Sequence, residues 1–357
     1  MPVIIVATMT NPSAQVAAEQ PPTPGSIAER SEYLAPTLRE HLVLTPLTRF
    51  DAFSDELGAE VLVKCEHQQR TGSFKPRGAL AKILSLDPAQ RQRGIVTASS
   101  GNHGLSVAYA LDELGGHATV FVPDNASPVK IAAMRRLGAD IRRQGTDVGV
   151  LEGVARAHAA KYDMVYVPPY NDPEVIAGQG TLAVEMLDQV GHRGFDAAVV
   201  SVGGGGLVSG VASVLKRHFP GIRIIGASPA NDPAMATCVR AGRIVAIDAL
   251  PTLSDGTAGN VEPGAVTVGL CRDLVDDWVL VDEAAIAAAL RRVIDTEHQL
   301  IEGSAAVAFA AALARREQLA GLRVSIVSCG ANISSATLAR ALAMPEPRPR
   351  PEPRHGV

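Results

Sequence analysis

Val199-Val200-Ser201-Val202-Gly203-Gly204-Gly205-Gly206-Leu207-Val208-Ser209-Gly210 is the stretch that decides the fold of this 357-residue chain. An apolar run of strand composition meets four successive glycines and then a helical pattern. Several backbone N–H groups can therefore converge on an anion at the positive end of a helix dipole, with no Cβ in the way. Four glycines in a row are entropically wasteful in a mere turn, so the loop reads as a phosphate cradle. No Lys-Ser/Thr pair follows the last glycine, which excludes a Walker A loop. A dinucleotide fold would end its next strand in an acid that holds a ribose, whereas Ile224-Ile225-Gly226-Ala227 ends at Ser228, so a monophosphate suits the loop better.

Outward from the glycines, short Val- and Ile-rich runs alternate with amphipathic stretches. Strands are expected over 60–65, 94–98, 118–123, 163–168, 196–202, 222–227, 278–281 and 324–328, and helices over 102–114, 128–137, 148–161, 173–190, 207–218, 283–298 and 304–318. This rhythm is that of an α/β protein with mostly parallel sheets, which binds ligands in the crevice at the carboxyl ends of its strands. With 46% hydrophobic and 20% charged residues the chain is globular rather than disordered, and its length suggests about two domains at roughly 150 residues each. A net charge of −4 provides no field for nucleic acid or anionic lipid. Cys65, Cys238, Cys271 and Cys329 lie far apart without a Cys-x-x-Cys pair, which fits a reducing cytoplasm. The apolar opening Met1–Val6 is too short for a signal peptide or a membrane span. Residues 1–25 read as a mobile leader, and 344–357, alternating proline with charge, as a polyproline II tail.

Three further loops carry chemistry. Ala98-Ser99-Ser100-Gly101-Asn102-His103-Gly104 follows a strand and opens a helix, with donors suited to a carboxylate. Thr71-Gly72-Ser73-Phe74-Lys75-Pro76-Arg77-Gly78-Ala79 holds the one lysine of six that sits in a Gly/Ser turn, the other five, Lys64 among them, being expected at the surface. An amine beside Phe74 and away from carboxylates has its charge disfavoured, as a Schiff-base lysine requires. Val324-Ser325-Ile326-Val327-Ser328-Cys329-Gly330 ends a late strand in a small thiol residue.

Ser73–Ala79, Ser99–Gly104, Ile176-Ala177-Gly178-Gln179-Gly180-Thr181 and Gly203–Gly206, in that order, resemble the motifs of fold type II pyridoxal-phosphate enzymes of the serine/threonine dehydratase group, whose relatives include serine racemase. The resemblance covers about residues 30–340. It implies a tryptophan synthase β-like α/β fold: two three-layer α/β/α domains with the cofactor, pyridoxal 5'-phosphate, in the cleft between them. The large domain would comprise 26–93 with 172–343, and the small one 94–171. It further implies that Lys75 carries the cofactor as a Schiff base and Phe74 packs on its ring. Asn102 would hydrogen-bond its 3-hydroxyl, while Gly203, Gly204, Gly205, Gly206 and Leu207 hold its phosphate. Ser99, Ser100, Gly101 and His103 would grip the substrate carboxylate. Ser100 also stands where racemising members place an acid/base opposite the lysine. Cys329 would face the pyridine nitrogen, and a neutral thiol there favours elimination over transamination.

The activity implied is an ammonia-lyase that eliminates water from a 3-hydroxy amino acid such as L-threonine or L-serine. A racemase or β-replacement synthase on the same scaffold stays open, as does a nicotinamide-dependent reductase built on the glycine loop. The stretch 252–264 looks more like dehydratases of hydroxyectoine utilisation or of bulkier, phenylserine-type substrates, and Tyr170 is placed to shape the side-chain pocket. Metal-binding members carry a Glu-Pro pair where Ser228-Pro229 stands, and Ala234 falls near a second oxygen ligand, so no metal site is expected. A regulatory domain is not expected after Ala343. A homodimer is implied by the family, and an amino acid is the expected partner.

Overall fold

The structure is a computed structural model and describes residues 21–145 and 148–345. Ten strands are seen among them: β1 Leu47–Arg49, β2 Glu60–Lys64, β3 Ile95–Ala98, β4 Ala118–Val122, β5 Asp140–Arg143, β6 Val165–Tyr166, β7 Ala197–Ser201, β8 Arg223–Pro229, β9 Asp277–Val281 and β10 Arg323–Val327. They form a six-stranded sheet in the order β1-β2-β10-β7-β8-β9 and a four-stranded sheet in the order β5-β4-β3-β6. All pairings are parallel except β1 with β2. Every residue of β3, β4 and β7 is buried, as strands covered by helices on both faces must be. The expected α/β class with mostly parallel sheets is what is observed.

Helices Pro24–Arg39, Pro173–Val190 and Gly206–His218 pack against one another beside the large sheet, and the alanine-rich helix Gly303–Ala314 lies against β7, β8, β9 and β10. Two glycines make the first of these packings. A Cβ on Gly180 would meet Ser31 Oγ at 2.2 Å, and one on Gly210 would meet Ile176 O at 2.4 Å. The Gln179-Gly180 motif is thus a close-packing device, and its Gly178 similarly lets the helix Pro76–Ser85 approach, a Cβ there falling 2.5 Å from Arg77 O.

Several expectations are corrected. The leader does not extend to residue 25: Thr23 and Ser26 form a capping box, with Thr23 Oγ1 accepting from Ser26 N at 3.1 Å and Ser26 Oγ accepting from Thr23 N at 3.0 Å, so a helix starts at Pro24. At the other end Met344 is still held, its carbonyl accepting from Arg291 Nη1 at 2.9 Å; residues 1–20 and 346–357 of the two tails lie outside the described residues. The strand expected over 163–168 shortens to Val165–Tyr166: Asp163, with φ of +53°, is not extended, and Pro168 and Pro169 supply no N–H at the other end. β1 and β5, which are short and partly exposed, carry too little apolar pattern to be read from sequence. Lys64 is buried rather than exposed. Its Nζ donates to Glu185 Oε2 at 2.6 Å, Thr45 O at 2.7 Å and Gln189 Oε1 at 3.0 Å.

Lys64 belongs to a buried charge network that fixes the start of the helix after Lys75. Arg77 donates to Glu66 at 2.7 and 2.8 Å and to Glu185 at 2.8 Å twice, with all four side chains essentially inaccessible. Two cations against two carboxylates leave no net charge, the condition under which such burial is tolerable.

Candidate active site

A cavity of about 600 Å³ opens at the carboxyl ends of β3, β7 and β10, where a parallel α/β protein places its ligands. Its wall includes Phe74, Lys75, Ser99, Ser100, Gly101, Asn102, His103, Gly203, Gly204, Gly205, Gly206, Leu207 and Cys329, so the residues expected to hold cofactor and substrate come together in one place, while the Ile176–Thr181 motif lies outside it.

Lys75 sits at the N-cap of the helix Pro76–Ser85, with Pro76 pre-set for the first turn. The loop before it is tied to the end of β10 by the Ser73–Gly330 bridge and by Phe74 N donating to Cys329 O at 3.1 Å. Lys75 Nζ donates to Pro169 O at 2.9 Å and makes no ion pair among the described residues. Burial lowers its basicity to about 8, while the carboxyl groups of Glu302 and Glu152 pull the other way. The Cys329 thiol is buried and pushed well above its ordinary range by that burial and by Glu302, so it stays neutral.

The serine loop is held from behind. Gly101 N donates to Ser99 Oγ at 3.2 Å. His103 uses Nε2–H on Val167 O at 3.0 Å, and burial followed by the charge of Lys75 lowers it to about 3, so its imidazole is a neutral strut. Asn102 Nδ2 donates to Glu302 Oε1 at 3.0 Å and Oε2 at 3.2 Å, and its Oδ1 accepts from Asn332 Nδ2 at 2.8 Å, which leaves Oδ1 a second lone pair.

In the glycine loop, Gly205 has φ of +86° and is the N-cap of the helix Gly206–His218. A Cβ on Gly204 would come 2.3 Å from the Tyr170 ring, and one on Gly203 2.7 Å from Thr257 Cα. The loop is packed closely against Tyr170 and Thr257, which line the same cavity, and leaves no room for side chains at Gly203 and Gly204. The first N–H groups of the helix have no intrahelical acceptor, and the buried Ser201 hydroxyl in the same wall also lacks a partner. Orphaned donors at a helix N-terminus, beside a desolvated lysine and an aromatic ring, fit a phosphorylated aromatic aldehyde.

Glu302 went unread in the sequence. It caps the otherwise apolar helix Gly303–Ala314, is 3% exposed, and accepts from Asn102 and from the Asn332 N–H at 3.0 Å. Burial, with Asp255 adding negative charge, pushes it up to about 7. A lone acid at the head of an alanine-rich buried helix was the signal available. Lys130, Glu152, Asp255 and Ser304 also line the cavity and were not singled out; Tyr170, expected there, does so and accepts from Glu262 N at 2.8 Å. Among the described residues no group of three or more His, Cys, Asp or Glu side chains is placed to hold a metal ion, and no helix is long and apolar enough to cross a membrane.

Comparison with known proteins agrees with this geometry. The family model of pyridoxal-phosphate dependent enzymes matches residues 38–330. The chain is 38% identical over 304 residues to an L-threonine ammonia-lyase of Geobacter sulfurreducens, covering 84% of this chain and 74% of that one. Among solved structures, the processed form of threonine deaminase isoform 2 from Solanum lycopersicum aligns with a TM-score of 0.82 at 33% identity, covering 88% of this chain and 92% of that one. Maize serine racemase aligns with a TM-score of 0.82 at 31% identity, covering 88% and 96%. Fold, cavity and relatives together assign the chain to the pyridoxal-phosphate dependent enzymes of fold type II, in the serine/threonine dehydratase group.

Proposed function

We propose that this protein is an ammonia-lyase that removes water from a 3-hydroxy amino acid such as L-threonine or L-serine and releases a 2-oxo acid and ammonia. The observation that carries the reading is a desolvated Lys75 in the same cavity wall as a neutral Cys329 thiol. Bound pyridoxal phosphate supplies an electrophilic carbon for the substrate amine and a conjugated ring that takes up electron density from Cα.

The chain's own residues do the rest. The N–H groups of Gly203 to Leu207 would hold the phosphate, Phe74 would pack on the ring, and Asn102, oriented by Glu302 and Asn332, would hydrogen-bond the 3-hydroxyl. Ser99, Ser100, Gly101 and His103 receive the substrate carboxylate, the two hydroxyls and the backbone N–H groups being the donors. Lys75, whose resting partner is a carbonyl rather than a carboxylate, takes the Cα proton as its neutral amine. The Cβ–O bond then breaks and the hydroxyl leaves with a proton as water; hydrolysis of the resulting enamine returns one water and yields oxo acid and ammonia. Cys329, if it faces the ring nitrogen of the bound group, would present a neutral thiol there, which would not stabilise a positive charge as a carboxylate does and would favour loss of the β-group.

Ser100 in the same wall, together with the likeness to a serine racemase, supports racemisation as a second reading. The test is the purified holoenzyme with L-serine, L-threonine, both hydroxyaspartates, phenylserine and the D-enantiomers. Equimolar oxo acid and ammonia from at least one substrate is the expected result; inverted amino acid without ammonia would establish the racemase.

The chain is further read as two domains, 26–93 with 172–343 and 94–171, a division supported by the two sheets drawing their strands from those segments. Cytoplasmic residence is supported by four buried, unpaired thiols. A homodimer without nucleic-acid or membrane partners completes the proposal; light scattering of the purified protein tests the dimer.

A further inference from the structure

Besides Lys75, the cavity wall holds four charged side chains: Lys130, Glu152, Asp255 and Glu302. Three are already spent. Lys130 Nζ pairs with Asp255 Oδ2 at 3.3 Å, and Glu302 is committed to Asn102 and Asn332. Glu152 is different. It lies on the helix Val148–Lys161 one turn before Arg156, the nearest cation on its own face. That guanidinium is engaged elsewhere, 4.2 Å over the Tyr166 ring and ion-paired with Glu262. Among the described residues the half-buried Glu152 carboxylate has neither a hydrogen-bond donor nor a cation within ion-pair distance. The Tyr166 hydroxyl, near enough to feel its charge, is also buried without a partner. Burial and the neighbouring Glu262 push the Glu152 carboxyl up to about 7, with the more distant charges of Arg156 and Lys75 pulling the other way.

We propose that Glu152 makes this site selective for substrates whose side chain carries a cation: 3-hydroxy amino acids with an ammonium group beyond Cβ, of which 4-amino-L-threonine, threonine with an amine on its methyl carbon, is the smallest. The proposal deepens the lyase reading and rests on it. Of the carboxylates around Glu152, Asp255 is paired with Lys130, Glu262 with Arg156, and Glu302 is held by the N–H groups of Asn102 and Asn332, so Glu152 is the one left without a donor or an ion-pair partner among the described residues. An acidic side chain such as that of 3-hydroxyaspartate would meet repulsion there, and a methyl group would leave the carboxylate desolvated without a partner. An ammonium satisfies it. The elimination is unchanged: Lys75 takes the Cα proton, the Cβ–O bond breaks, water leaves, and ammonia comes from Cα while the side-chain ammonium stays on the oxo acid.

The first readout needs no turnover. L-2,4-diaminobutyrate and L-2-aminobutyrate lack the leaving hydroxyl and differ only in the distal amine; their Kd values for the holoenzyme are measured by calorimetry. The diamine is expected to bind about 10- to 100-fold more tightly, a margin set by a hydrogen bond to a charged group. The preference should fall to within about threefold in Glu152→Gln and persist in part in Glu152→Asp, where the charge is kept. Equal Kd values in the wild type, a comparison that depends on no variant, or a preference retained in Glu152→Gln, would overturn the proposal. So would an equal loss of rate on threonine and 4-aminothreonine with the binding ratio intact, which would make Glu152 a proton donor. If the preference holds and no hydroxy amino acid releases ammonia, the lyase reading fails by itself; if threonine turns over and the preference is absent, the charge selectivity fails by itself.

Discussion

Replacing Arg77 with leucine is the sharpest test of how this fold positions its lysine. The guanidinium makes four hydrogen bonds of 2.7–2.8 Å to Glu66 and Glu185, all in the dry interior. Its loss leaves two buried carboxylates facing Lys64 alone, so the network goes from neutral to one uncompensated negative charge. Removing one partner of a buried ion pair costs about 3–5 kcal/mol. Unfolding entropy of about 2.1 cal/mol/K per residue gives about 0.75 kcal/mol/K for a chain of this length, so Tm should fall by about 4–7 °C. Far-UV circular dichroism of the holoenzyme at neutral pH measures it. The sign of the pH dependence follows from Glu66. Burial works to raise its pKa, but Arg77, with help from Lys64 and Thr45, holds it below the usual carboxylate range. In the wild type that contribution is present above the unfolded-state pKa and is lost only as pH falls through the lowered folded value. In the variant a carboxyl takes up a proton as pH falls, which relieves the stranded charge, so the gap in Tm should narrow from about pH 7.5 to about pH 5. A shift below about 2 °C, or a gap that does not change with pH, would refute the reasoning.

Three further outcomes follow from the cavity. Lys75→Ala should abolish the visible absorbance of covalently held cofactor and reduce ammonia release by at least about 10³-fold, because both attachment and proton removal are lost; a retained covalent chromophore would mean another lysine is used. Gly204→Ala drives a methyl group into the Tyr170 ring, a built contact of 2.3 Å, and should raise the cofactor Kd, whereas Gly221→Ala, with no atom within 4 Å, should leave it unchanged; equilibrium dialysis compares them. Glu302 has a folded-state pKa of about 7, above its unfolded value near 4.3, so the cofactor-free wild type should lose stability relative to Glu302→Gln as pH rises across that window, read from urea midpoints; parallel curves would sink the assignment.

What the sequence made legible was whatever is local. A strand, four glycines and a helix can be read from twelve consecutive residues, and a lysine between Phe74 and Pro76 stands out by being unlike the other five; both are found in the cavity wall. Glu302 and Glu152 stayed silent because their meaning is set by distance in space: Glu302 meets Asn102 across 200 residues of chain. Lys64 misled for the same reason. A lysine at a strand end looks like one that reaches water, until its partner Glu185, 121 residues later, is placed beside it. The start of the first helix was missed because Pro21 to Pro24 read as coil, although Thr23-Pro24-Gly25-Ser26 is a capping box once something holds the helix behind it.

The pair Pro168-Pro169 has a bearing on assembly as well as on chemistry. β6, at the margin of the four-stranded sheet, is only two residues long, and the prolines that end it offer a neighbouring chain no N–H to pair with. The carbonyl of Pro169 is correspondingly left for Lys75, and that of Val167 just before the pair for His103. A substitution that restored a donor at these positions would therefore lengthen a sheet margin open to self-association, right beside the carbonyl on which the resting lysine depends.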